Sequence, residues 1–66
     1  MRVNINGIIH TVAEDTGLLD LLADEGIPPK QAIVEVNRRF VSHDDLTGYA
    51  LQDGDHIEFI LPAFGG

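Results

Sequence analysis

Sixty-six residues make one domain with one modest core, since a chain this size buries only about 60% of its unfolded surface. The chain has no cysteine, which excludes disulfides, thiolate metal sites, iron–sulfur clusters, catalytic thiols and any persulfide held on the chain itself. A net charge of −7, with only Arg2, Lys30, Arg38 and Arg39 opposing the acids, repels phosphate backbones and argues against nucleic acid as a partner.

The same charge suits a basic protein partner, although acidic surfaces also serve solubility. No apolar run reaches the length of a membrane span, and Met1-Arg2-Val3-Asn4 does not open like a signal peptide. The cytoplasm is therefore the expected location, with no membrane as partner.

In chain order, Val3 and Ile5 alternate with Arg2 and Asn4, which predicts a strand. Asn6-Gly7 is a strong hairpin signal, because both residues tolerate the positive φ that a tight turn needs. The return strand runs from Ile8 to Val12. Pairing Ile5 with Ile8 puts Ile8, His10 and Val12 on the face of Val3 and Ile5, with His10 partly buried in a structural role. Glu14-Asp15-Thr16 then marks a helix start through capping and the macrodipole. Leu18, Leu21 and Leu22 form the core stripe of that helix, with Leu19 beside them and Asp20 and Asp24 on the wet side. Gly26 is the expected left-handed stop, followed by an apolar contact from Ile27.

Pro28-Pro29 stiffens the next connection. A third strand is predicted over Ala32 to Asn37, with Val34 and Val36 inward and Glu35 outward. Arg38-Arg39 should turn the chain into a short strand at Phe40-Val41. Ser42-His43-Asp44-Asp45 reads as a loop or a capped helical turn. Gly48 to Leu51 leads to the turn Asp53-Gly54-Asp55. After it, His56 to Leu61 is rich in β-branched and aromatic residues and predicts the last strand. Ile57 and Phe59 should face the core, Glu58 and Ile60 the solvent. Pro62 cannot donate to a ladder, so the strand should stop there. A hairpin, a helix across a mixed sheet and further strands make a small α+β roll. The last strand becomes central if it lies beside the first.

Enzyme chemistry finds little to use. Ser42, His43 and Asp44 are triad residue types, but sequential neighbours do not converge on one point, so they read as turn residues. His10, His43 and His56 lack metal-ligand spacing, and Asp53 and Asp55 lack the remaining positions of a calcium loop. No metal site and no phosphate-cradling loop is expected. Ser42 is not in the Asp-Ser-Leu setting of a phosphopantetheine carrier, and Lys30 is not at a hairpin tip as in a biotinyl or lipoyl carrier. What remains is the end Pro62-Ala63-Phe64-Gly65-Gly66. Two glycines leave a thin backbone that can enter a slot too narrow for any Cβ and present a carboxylate to another protein.

Asn6-Gly7, Leu18-Leu19-Asp20-Leu21-Leu22, Val34-Glu35-Val36-Asn37, Leu51-Gln52-Asp53-Gly54-Asp55, Ile57-Glu58-Phe59 and Gly65-Gly66 together resemble a ubiquitin-like sulfur carrier. The match is nearest to the thiamine-biosynthesis (ThiS-type) branch, within the MoaD/ThiS superfamily, and spans the whole chain. The resemblance implies a β-grasp (ubiquitin-like) roll, with a mixed sheet of four to five strands and one main helix packed across it. It implies a β-grasp domain over 1–61 and a flexible diglycine tail over 62–66.

It also implies a protein co-substrate rather than an enzyme. A ThiF-like adenylyltransferase would use ATP to activate the Gly66 carboxylate, and no cofactor would be bound by the chain itself. Sulfur from a persulfide, supplied by a sulfurtransferase or cysteine desulfurase, would leave a thiocarboxylate on Gly66. A ThiG-like thiazole synthase would receive it. Gly65 and Gly66 carry over from the family motif. Phe64, Ala63, Ile60 and Phe40 are candidate docking residues, because they are apolar and lie on the tail or an outward face. The chain alone is expected to be a monomer.

Two positions depart from the thiamine branch. Phe64 stands where a small residue is usual, and Ser42-His43 stands where Pro-Arg is common. The ending Pro62-Ala63-Phe64-Gly65-Gly66 echoes molybdopterin carriers, so a MoaD-type role stays open beside the thiamine role. A ubiquitin-like modifier or a plain interaction module would share the same domain.

Overall fold

The computed structural model describes residues 1–61, and the tail expected over 62–66 lies outside the described residues. Strand β1 spans Arg2–Ile5 and pairs antiparallel with β2, Ile8–Thr11. Asn6 and Gly7 form the connection at φ 50° and 90°, and the Gly7 N–H donates to Asn4 Oδ1 at 2.8 Å. Ile5 opposes Ile8 and Val3 opposes His10, so all four share one face, as the alternation predicted. Val3 and Ile5 are buried and His10 is half-buried, yet Ile8 is 65% exposed. The reason is position: β2 is an edge strand, and its turn end overhangs the core.

Helix α1 spans Leu18–Asp24 and buries Leu18, Leu21 and Leu22 against the sheet. Its start differs from the expected cap. Gly17, not Thr16 or an acid before it, is the N-cap, and Asp20 reaches back to accept the Gly17 N–H at 2.9 Å. Gly17 instead bridges to Ala50, and a Cβ there would lie 3.4 Å from the Tyr49 carbonyl oxygen. Close chain approach thus takes the place of a side-chain cap. The other end follows expectation. Gly26 sits at φ 70°, its N–H donates to the Ala23 carbonyl, and the Ile27 N–H donates to the Leu22 carbonyl at 2.9 Å. These two bonds are a Schellman closure, and Ile27 packs against the core as its apolar partner.

A 3₁₀ turn over Pro29–Gln31 leads into β3, Ile33–Val36, which buries Val34 and Val36. Strand β4, Arg39–Val41, pairs antiparallel with it. The turn between them is Asn37-Arg38, at φ 53° and 69°, one residue earlier than the expected Arg38-Arg39. A two-residue hairpin needs positive φ at both positions, and Asn37 tolerates it better than Arg39. A short helix α2, His43–Leu46, follows with Ser42 at its N-cap position but without a side-chain cap bond, and its Leu46 is buried.

The chain finishes its described part in β5, His56–Ile60, with Ile57 and Phe59 buried and His56, Glu58 and Ile60 exposed. Strand order is β2-β1-β5-β3-β4. The last strand is therefore the middle one, parallel to β1 and antiparallel to β3. Five strands with one main helix across their inner face make a β-grasp roll, the class the sequence implied. No helix among the described residues is long and apolar enough to cross a membrane.

Candidate functional site

The candidate site is the C-terminal end of β5 and the outer sheet face beside it. Central placement anchors that end on both sides. On one side, β3 pairs with β5 along its length, from Val36 opposite Ile57 to Ile33 opposite Ile60. On the other side, β1 stops at Ile5, opposite Ile57. Asn6 takes over from there. Its N–H donates to the Ile57 carbonyl at 3.0 Å, and its Oδ1 accepts the Phe59 N–H at 3.0 Å. A turn residue of the first hairpin thus adds a rung to the ladder of the last strand, 53 positions away.

The opposite end of β5 is clasped by side chains. Asp53 Oδ1 accepts the Arg2 N–H at 2.7 Å, and the Gly54 N–H donates to the Arg2 carbonyl at 2.8 Å. Asp55 accepts from Asn37 Nδ2 at 2.9 Å and from the Gln52 N–H at 2.8 Å. Asn37 Oδ1 accepts the His56 N–H at 3.0 Å. The Asp53-Gly54-Asp55 turn, read in the sequence only as a local reversal, therefore ties β5 to both β1 and the β3–β4 hairpin.

Ile60 lies on the outer face at 42% exposure, and Phe40 at 64%. Both were candidate docking residues, and both stand on the same face of the sheet: Phe40 opposes Glu35, which opposes Glu58, one strand-period from Ile60. The structure adds Ile33, which is directly opposite Ile60 and 40% exposed; Leu61, past the end of the strand with the parity of Ile57 and Phe59, is 56% exposed. The signal for Ile33 was present in the alternation, since it shares the outward parity of Glu35. Between these apolar groups stand Glu35 and Glu58, directly opposed like charges. Ala63, Phe64, Gly65 and Gly66 lie outside the described residues.

Other singled-out residues do not assemble into chemistry. Ser42 Oγ donates to Asp45 Oδ2 at 3.1 Å, while the His43 ring approaches the Ala32 carbonyl at 3.4 Å. Those contacts are a helix start, not a relay. Among the described residues no group of three or more His, Asp and Glu side chains is placed to hold a metal ion.

The sequence model of the ThiS family matches residues 3–66. The chain belongs to the ThiS family. The match runs through Gly65 and Gly66, so the diglycine falls inside the family pattern. Solved structures agree with this ThiS-family assignment. The crystal structure of a thiamine biosynthesis protein (ThiS) from Geobacter metallireducens is similar at TM-score 0.83 and 28% identity, over 100% of both chains. The NMR solution structure of a thiamine biosynthesis protein from Geobacter metallireducens gives 0.81 and 28%, over 100% of this chain and 88% of the other. A ubiquitin-like protein from Caldiarchaeum subterraneum gives 0.57 and 19%, over 98% and 100% of the two chains, and speaks for the shared ubiquitin-like fold alone. No curated protein sequence matches the chain.

Proposed function

We propose that this chain is a sulfur carrier for thiamine biosynthesis, with the Gly66 carboxylate as the group that is loaded. The observation that carries the reading is the ThiS-family match through residue 66. The similarity to two thiamine biosynthesis structures supports the branch.

The chemistry follows from what a carboxylate lacks. It is a poor electrophile at neutral pH, and an anhydride with AMP supplies a leaving group. A ThiF-like adenylyltransferase would make that anhydride from ATP. A persulfide sulfur would then displace AMP, and reduction of the resulting disulfide by a second thiol would leave the thiocarboxylate. A ThiG-like thiazole synthase would accept the sulfur. The chain has no cysteine, so sulfur has no side-chain thiol to reside on, and the tail is the remaining carrier. In this role the chain is a co-substrate: it contributes the carboxylate and a docking face, and its partners contribute catalysis. The exposed pair Ile33 and Ile60, directly opposed at the end of β5, supports docking there, with Phe40 further across the same face.

The test is the intact mass of the native chain recovered from its own cells, beside a control lacking Gly66. A species heavier by one oxygen-to-sulfur exchange, mapped to the C-terminal peptide and absent from the control, is expected. Isopeptide-linked adducts through Gly66, with no such exchange, would replace the carrier reading with that of a modifier.

A further inference from the structure

The two edges of the sheet are protected unequally. The β4 edge carries Arg39, with Arg38 in the adjoining turn. Charges of this kind deter strand pairing. The β2 edge carries none: no Asp, Glu, Lys or Arg occurs from Val3 through Ala13.

Which backbone groups β2 offers can be worked out from the ladder. The Val12 N–H donates to the Met1 carbonyl at 2.8 Å, and the Met1 amino group donates to the Val12 carbonyl at 2.7 Å. Bonded pairs alternate along an antiparallel ladder, so His10 and Ile8 also bond to β1. Ile9 and Thr11 therefore turn their N–H and C=O groups away from the sheet. Their side chains share the outer face, and Ile9 is 53% exposed. On the inner side, a shallow groove runs between β2 and the end of α1, lined by Ile5, Ile8, His10, Ile27 and Phe59, with Glu25 at its rim.

We propose that the β2 edge is a strand-addition site for an extended, basic-flanked peptide segment of a partner protein. The free groups of Ile9 and Thr11 supply four backbone hydrogen bonds at the two-residue spacing an added strand requires. Alternate apolar side chains of that strand enter the groove beside Ile8 and Ile27, and the others lie against Ile9. The occupant is basic because Glu25 is the one charged residue lining the groove and the whole chain carries −7, which also opposes a second copy of itself. This surface lies at the far edge of the sheet from β4 and does not depend on the tail chemistry.

The experiment is an amide NMR titration of the full chain with the synthetic peptide Lys-Lys-Val-Thr-Val-Thr-Val-Lys-Lys. Expected are shifts and slowed hydrogen exchange at the Ile9 and Thr11 amides, with side-chain shifts at Ile8 and Ile27. Ile9→Lys puts a charge on the edge and removes an apolar contact, and should weaken binding by about tenfold or more. A peptide with glutamate flanks should bind weaker by a similar factor, and one with proline in place of the central valine should not bind. The proposal is overturned by shifts confined to β4 or to Ile33 and Ile60, or by equal binding of the glutamate-flanked peptide. It is equally overturned by an unaltered affinity of a folded Ile9→Lys variant, or by silence of Ile9 and Thr11 at millimolar peptide. Protection of those amides that grows with protein concentration alone would assign the edge to a second copy instead.

Discussion

Asn6 joins two jobs in one residue, and the two can be separated by substitution. It holds a left-handed backbone at φ 50°, and its Oδ1 accepts the Phe59 N–H at 3.0 Å. An alanine there loses both. The left-handed conformation costs a residue with a Cβ about 1–2 kcal/mol, and leaving the partly buried Phe59 N–H unpaired costs about 1–3 kcal/mol. Asn6→Ala should therefore destabilise by about 2–5 kcal/mol. Asn6→Gly relieves the conformational part but still loses the acceptor, so it should cost about 1–3 kcal/mol, to which the extra freedom glycine gains when unfolded adds a little. Asn6→Asp keeps an acceptor and tolerates the turn, so it should stay within about 1 kcal/mol of the parent.

A domain of this size has only about 3–10 kcal/mol in total, so the alanine variant should unfold at visibly lower urea. Equilibrium urea denaturation followed by far-UV circular dichroism reads the three values. Amide exchange adds a local readout: in Asn6→Gly the Phe59 amide should exchange faster, while Val34 in β3 keeps its protection relative to global unfolding. Equal losses for alanine and glycine would refute the conformational share. An unchanged Phe59 exchange rate would refute the idea that Asn6 holds the end of β5.

Three further outcomes are expected. Gly26→Ala should cost about 1–2 kcal/mol in urea denaturation from backbone strain alone, because Gly26 sits at φ 70° with open space where a Cβ would go. Glu58→Gln should raise stability by about 0.2–1 kcal/mol, more at low salt, since Glu58 directly opposes Glu35; a loss of stability would show that the pair is compensated. Ile60→Glu should leave the fold intact, because Ile60 faces outward at 42% exposure. It should nonetheless raise the KM for adenylation by about tenfold, the exposed remainder of an isoleucine being worth about 1 kcal/mol before any charge is buried. Unchanged adenylation kinetics would remove Ile60 from the docking face.

Local rules sufficed for much of this molecule. The alternation of Val3 and Ile5, the leucine stripe of α1, the Gly26 stop and the inward parity of Ile57 and Phe59 are each decided within a few residues, where side-chain period and backbone sterics act. The diglycine was legible as a motif for the same reason, being a statement about composition at one place. Other features depend on which segments meet, and no local period encodes that. Ile8 has the inward parity of Ile5 but stands exposed, because the strand it belongs to became an edge. Glu35 and Glu58 each look like ordinary solvent-facing acids until β3 and β5 pair and set them opposite one another. Gly17 replaced the expected cap because Ala50 packs beside it. Above all, the parallel pairing of β5 with β1 closes more than fifty residues of chain, and it is this closure that turns the last strand into the central one and lets Asn6 hold Phe59.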